Sequence, residues 1–179
     1  MSQLRLARPC LMLAAVGPSA PALTTAVHAQ EKPAAEAPKD TVRPELFKLL
    51  DPAAIKPLMD AKNYAEVQNR VQQAEAFPNR TPYEDYVVNR MKLSLGSATN
   101  NNAIAMPALE AVINSGRLQG QEQADFILAL GNMHYNAKDY AKAIEWFKRY
   151  QKKSPTPEKV TSSLIRAHYL GGDFASAKA

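Results

Sequence analysis

The chain has 179 residues, 46% of them hydrophobic, with thirteen prolines, seven glycines and one cysteine. That length fits one domain plus a tail. The scarcity of glycine counts against glycine-rich phosphate loops, and the lone Cys10 excludes an internal disulfide and CxxC metal or redox sites. The net charge is +5. Setting aside Arg5 and Arg8, which stand in an acid-free leader, leaves +3, far short of the dense Lys/Arg patch that phosphate backbones require.

The chain opens MSQLRLARPCLMLAAVGPSAPALTTAVHAQ, two arginines ahead of the apolar run Leu11 to Val16 and then a stretch of small residues. An export signal is expected over 1–29, cut after Ala29, because Val27-His28-Ala29 presents the residue sizes a signal peptidase reads. Pro18 and Pro21 interrupt the segment, so an uncleaved alanine-rich leader is the alternative. Cys10 precedes most of the apolar segment and lacks the small apolar residues of a lipidation site, so no lipid anchor is expected. No run approaches the ~20 apolar residues of a membrane helix. Export would place the chain in the periplasm or envelope of a bacterium. Residues 30–43, QEKPAAEAPKDTVR, are too rich in proline, alanine and charge to bury much surface and read as a flexible linker.

Helical signals begin at Asp51-Pro52, a cap followed by a first-turn proline, although Pro57 then falls inside the helix, where it shortens or kinks it. Lys62 to Val67 forms a polar joint, followed by Val71, Ala74 and Pro78, which delimits a first unit over 51–78. A helix over Tyr83 to Leu95, a polar loop over Gly96 to Asn102, and a helix from Ala103 to Ser115 closed by Gly116 make a second unit over 82–116. The pattern is clearest over 124–157, ADFILALGNMHYNAKDYAKAIEWFKRYQKKSPTP. There Ile127, Leu130 and His134 line one helix face, and Ala143, Ile144, Phe147 and Tyr150 line the next. Gly131 and Ala143 are small enough for two helices to approach to ~8–10 Å. Asp139 caps the second helix and Pro155 stops it.

Laying 158–179 under this unit pairs Leu130 with Leu164, His134-Tyr135 with His168-Tyr169, Asp139-Tyr140 with Asp173-Phe174, and Ala143 with Ala177, always 34 residues apart. Tyr64 and Tyr140, by contrast, are 76 positions apart, eight more than two such periods, so the middle unit is expected to be a divergent repeat with an extended loop. The period, together with Leu130-Gly131, Tyr135, Asp139-Tyr140, Ala143, Phe147 and Pro155, resembles the tetratricopeptide repeat. His134 is a departure, since the family usually has an aromatic there. The resemblance is firm over 124–179, moderate over 51–78 and thin between. It implies an all-α fold over 44–179, a right-handed α-solenoid of antiparallel helix-turn-helix repeats. The last unit runs only to Ala179 with no capping element, so a fragment of a longer array is expected.

The same resemblance implies a concave groove built from the first helix of each repeat, with Asp125, Leu128, Asn132, Tyr135, Asn136, Lys159, Ser162, Arg166 and Tyr169 as its residues. Asn132 and Arg166 suit charge-assisted hydrogen bonds to a peptide backbone or carboxylate. Leu128 stands one turn before Asn132, where some family members have a lysine, so a full carboxylate clamp is in doubt. His134 and His168 read as packing residues rather than metal ligands, since no third ligand is apparent. Glu84, Asp85, Glu122 and Asp125 read as solvated or first-turn acids. Lys138, Lys142, Lys148, Arg149, Lys152 and Lys153 mark the solvated face of one helix, and Trp146 covers a seam between repeats. No catalytic constellation, metal, cofactor, nucleic acid or small-molecule substrate is expected. The expected function is a non-enzymatic scaffold or adaptor that binds a protein or peptide in the groove. The alternatives are the docking region of a larger enzyme and a self-associating structural subunit.

Overall fold

A computed structural model describes residues 40–178. The expected export signal, and the linker up to residue 39, lie outside the described residues. Eight α-helices appear among the described residues: α1 (Pro44–Leu50), α2 (Pro52–Asp60), α3 (Tyr64–Glu75), α4 (Pro82–Ala98), α5 (Asn102–Asn114), α6 (Gly120–Asn136), α7 (Tyr140–Lys153) and α8 (Thr161–Leu170). Short 3-10 turns at Pro157–Val160 and Ser176–Lys178 flank α8, and the described residues contain no strand. None of these helices is long and apolar enough to cross a membrane.

One joint recurs. Lys62, Asn100, Lys138 and Gly172 all take positive φ, at 56°, 52°, 62° and 86°. The next residue is an Asn or Asp in every case. Its backbone N–H closes the preceding helix by donating five residues back, Asn63 to Leu58, Asn101 to Gly96, Asp139 to His134 and Asp173 to His168, at 2.8 to 2.9 Å. Its side chain then accepts from the start of the following turn, as Asn63 does from Glu66 N (3.4 Å), Asn101 from Ala103 N (3.1 Å), Asp139 from Lys142 N (3.3 Å) and Asp173 from Ser176 N (3.1 Å). A left-handed residue thus ends one helix and an Asx residue begins the next, which folds α3 back on α2, α5 on α4 and α7 on α6. The joints fall at 63, 101, 139 and 173, with spacings of 38, 38 and 34. The expected extended loop is therefore absent. The eight surplus positions are shared equally between two 38-residue units, and α4 runs through Gly96 to Ala98, leaving only Thr99 to Asn101 as the turn.

Gly96 explains why α4 continues. It is buried where α4 meets α5, and a Cβ there would stand 2.7 to 2.9 Å from the backbone and Cβ of Ala105. Gly131 does the same in the next hairpin, with a would-be Cβ 2.7 Å from the Phe147 ring. The hairpins α4–α5 and α6–α7 have the most extensive contacts, and α7 with α8, α5 with α6, α3 with α4, and α1 and α2 with α3 also pack together. Two apolar clusters result. Leu46, Ile55, Val67, Val71 and Leu95 belong to the first, and Val112, Ile127, Leu130, Phe147 and Tyr150 to the second. Each such side chain, fully buried, stabilises the fold by ~1.5–3 kcal/mol. Pro57 sits inside α2, which continues to Asp60.

Two expectations are corrected at the N-terminal end. Glu84 lies in the first turn of α4, as one of its two readings had it, but it is not solvated. It is completely buried and bound bidentately by Arg43, with Oε1 accepting from Nε (2.8 Å) and Oε2 from Nη2 (2.8 Å). The backbone N–H groups of Arg43 (3.0 Å) and Thr81 (2.9 Å) complete its shell, the latter as half of a capping box at the start of α4. The Arg43 guanidinium, outweighing the opposing effect of burial, holds the Glu84 pKa down at about 2. Arg43 also donates to the carbonyls of Pro78 and Asn79 and lies 4.8 Å over the Phe77 ring. Residues 40–43 are accordingly part of the fold rather than linker, since Asp40 pairs with Arg117 and Val42 packs on the first cluster.

Candidate functional site

Hairpin α6–α7 and helix α8 carry nearly the same local code, and the candidate site lies where they meet. Tyr135 projects from the last turn of α6 and meets Tyr140 edge-on, with centroids 5.6 Å apart and planes at 68°. One unit later Tyr169 meets Phe174 in the same way, at 5.3 Å and 68°. The carboxylate of each joint reaches back to the histidine five residues before it. His168 Nδ1 and Asp173 Oδ2 make a hydrogen bond of 2.9 Å, whereas His134 Nδ1 stands 3.3 Å from Asp139 Oδ2 without hydrogen-bonding geometry. Both rings are nearly buried. Asp173 has its pKa lowered, first by its hydrogen bonds to Ser176 and then by His168. Among the described residues no three or more His, Cys, Asp or Glu side chains form a group that could hold a metal.

Between these elements lies a cavity of about 640 Å³, lined by Tyr135, Ile165, Arg166, Tyr169, Leu170, Phe174, Ala177 and Lys178. Its volume falls in the range of ligand-binding clefts. Ile165, Tyr169, Leu170 and Phe174 are large hydrophobic residues left 43 to 61% exposed, a contiguous apolar patch of the kind that marks an interaction surface. Arg166 and Lys178 are its two cations. No carboxylate lines the cavity, and neither cation forms an ion pair among the described residues.

Of the nine groove residues expected from sequence, Tyr135, Arg166 and Tyr169 come together in this cavity. Asp125 is exposed and accepts from Gln121 Nε2 at 2.7 Å. Leu128 is partly buried and packs on the second apolar cluster. Asn132, Asn136, Lys159 and Ser162 are exposed and lie outside the cavity lining. Lys159 and Asp125 both act on Tyr150, whose pKa is lowered chiefly by hydrogen bonding to Ser154 and Thr156. Sequence reasoning missed Ile165, Leu170, Phe174 and Lys178 as site residues. Their signal lay in the 34-residue register, where Ile165 replaces Gly131, Leu170 replaces Asn136 and Lys178 replaces Ile144.

Trp146 is nearly buried and carries the Arg149 guanidinium 4.8 Å over its ring, while Arg149 Nη1 donates to Asn114 of α5 (2.8 Å). It therefore lies at the seam between α5 and α7. No family model matches the chain, and no curated protein is significantly similar to it.

Proposed function

We propose that this chain is a non-enzymatic scaffold, a right-handed solenoid of antiparallel helical hairpins of the tetratricopeptide type. It would capture a peptide or helix of a partner protein along the face formed by α6 and α8. The observation that carries this reading is the convergence of Tyr135, Arg166 and Tyr169, three residues expected in the groove, on one apolar cavity. The recurring joint at 38, 38 and 34 residues and the succession of contacts between neighbouring helices support the solenoid. Aromatic rings give apolar area at low entropic cost, and Arg166 offers a planar donor to a backbone or carboxylate oxygen. The arginine-led N-terminal segment supports export, so the partner would be met in the periplasm or envelope.

The test is affinity capture from envelope extract with the tagged chain, expressed with its leader, beside the variant Tyr135→Ala with Arg166→Glu. A partner whose affinity falls at least about tenfold in the variant, at unchanged far-UV circular dichroism, supports the groove. A partner held equally by both chains moves the binding site elsewhere.

A further inference from the structure

His134 and His168 stand at matched places in α6 and α8, and only the second finds a hydrogen-bond partner. His168 Nδ1 is bonded to Asp173 Oδ2 at 2.9 Å. His134 is 6% exposed, and its Nδ1, shut off from solvent, has no hydrogen-bond partner although Asp139 Oδ2 lies 3.3 Å away. That carboxylate favours the tautomer with its proton on Nδ1, which leaves a lone pair on Nε2. Nε2 has no partner among the described residues either, but it is not shut off from solvent. The ring lines another cavity, of about 280 Å³, formed by residues of α5, α6 and α7. Nε2 is therefore the ring nitrogen that opens outward.

The lining residues bring three acceptors. Besides Nε2 there is the Glu110 carboxylate of α5, and Pro107 has no N–H to give the Ala103 carbonyl, which thereby loses its usual helical partner. One cation, Lys142 in the first turn of α7, lines the same cavity. Asn102 opens α5 beside it, where the positive end of the helix adds to the attraction for an anion. The side chains of Glu110 and Lys142 share the cavity without pairing with each other or with any other described residue. The remaining wall, Met106, Pro107 and the Ala103 methyl, is apolar. We infer that this cavity binds a free α-amino acid with an apolar side chain. Its ammonium is taken by Glu110, His134 Nε2 and the Ala103 carbonyl, its carboxylate by Lys142 and the Asn102 amide, and its side chain by Met106 and Pro107. A simple anion is repelled by Glu110 and a simple cation by Lys142, so a zwitterion is the ligand that satisfies both. The volume, just below the ~300 Å³ at which drug-sized sites begin, limits the ligand to a small molecule. The cavity shares no residue with the one beside α8, so the inference stands apart from the groove reading.

The test follows the His134 ring nitrogens of the full chain by long-range proton–nitrogen NMR correlation at neutral pH. Three probes are added in turn: L-leucine, 4-methylpentanoate, which lacks its ammonium, and 3-methylbutylamine, which lacks its carboxylate. Leucine is expected to move the Nε2 resonance saturably, with a dissociation constant of about 1 mM or below. Each truncated probe should bind at least about tenfold more weakly, the loss of one charged contact. Glu110→Gln should weaken leucine and the amine without weakening 4-methylpentanoate. Lys142→Met should weaken leucine and 4-methylpentanoate without weakening the amine. Both positions are exposed, so neither variant threatens the fold. His134→Phe keeps an aromatic ring in place and removes Nε2, and calorimetry should show leucine bound at least about tenfold more weakly at unchanged far-UV circular dichroism. Should that variant lose helicity, the two charge variants decide. No saturable shift at about 50 mM leucine overturns the inference. Equal affinity for all three probes does so too, since it marks an apolar hollow without charge recognition. Leucine binding undiminished by Glu110→Gln and by Lys142→Met places its site elsewhere and likewise overturns it.

Discussion

Helices α6 and α8 start from almost the same instructions and end in different surroundings. Leu130 and Leu164, His134 and His168, Tyr135 and Tyr169, and Asp139 and Asp173 occupy matched places, and the turns that follow share one backbone geometry. Around α6 those residues are enclosed by α5 and α7. Leu130 is fully buried and Tyr135 is partly buried, packed against the second cluster. Around α8, Leu164 is 8% exposed and Tyr169 is 61% exposed. Turn geometry is thus a property of a few adjacent residues, while burial is a property of neighbours. A surface that resembles a core therefore arises wherever the second is missing.

Truncation tests this most severely. Leu130→Ala should cost about 3–4 kcal/mol in urea or thermal unfolding, because the cavity it leaves is closed on all sides. Leu164→Ala should cost about 2 kcal/mol, since its surroundings can relax toward solvent. Equal losses would mean that the two helices are equally enclosed.

Acid should separate the two ends of the fold. At the N-terminal end, Glu84→Gln takes the charge from a buried, fully hydrogen-bonded carboxylate whose partner Arg43 is partly exposed, and should cost about 2 kcal/mol at pH 7. The folded-state pKa of Glu84, about 2, lies below its ordinary 4.5, so its stabilising contribution is fully present above about pH 5 and is lost as pH falls from 4.5 towards 2. The wild-type unfolding midpoint should drop across that window, and the Gln variant should show a flatter profile. Asp173, also lowered but exposed, loses its stabilising effect in the same direction, and Asp173→Asn should leave the profile nearly unchanged. A flat wild-type profile between pH 5 and 2 would remove Glu84 from that role.

Exchanging the one residue that differs most between the two helices is the sharper experiment. Gly131→Ile installs the α8 residue in α6, where its Cβ meets the Phe147 ring, and should cost about 2–3 kcal/mol. Ile165→Gly makes the reverse exchange on an exposed surface and should cost about 0.5–1 kcal/mol, mostly helix propensity. The smallest effect is expected at the caps. Asp139→Ala should cost about 1 kcal/mol by leaving the α7 N-terminus uncapped. Asp173→Ala, which caps only a three-residue turn, should cost less. Both are read from the unfolding midpoint.

Much of the helical layout could be read before any coordinates. Asp51-Pro52, Asn63, Asp139, Gly116 and the 34-residue register mark caps and turns, and those signals act over two to five residues. The second unit departs from its expected layout because its decisive contact is not of that short range. Gly96-Ser97-Ala98 looks like a loop by composition, but Gly96 is there for the close approach of Ala105, a contact that exists only after α5 folds back. Even so, the signal was present in Asn100-Asn101, which repeats Lys62-Asn63 and Lys138-Asp139 at a spacing of 38.

The candidate site divides along the same line. Tyr135, Arg166 and Tyr169 were reachable by register, since helical period and repeat length place them on one face. That Asn132 and Ser162 stay outside the cavity, while Ile165 and Phe174 enter it, depends on how α8 lies against α6 and on the path of the turn after it. The fate of Glu84 was further out of reach. A carboxylate in a first helical turn is ordinarily solvated, and only the arrival of Arg43 from 41 positions away makes its burial tolerable. Short-range rules of dihedral preference, capping and periodicity thus wrote the helices and their turns into the chain. Which apolar faces closed into a core, which stayed open, and which charges met were decided by packing between segments distant in sequence, because burial and ion pairing depend on distances in space that local sequence does not encode.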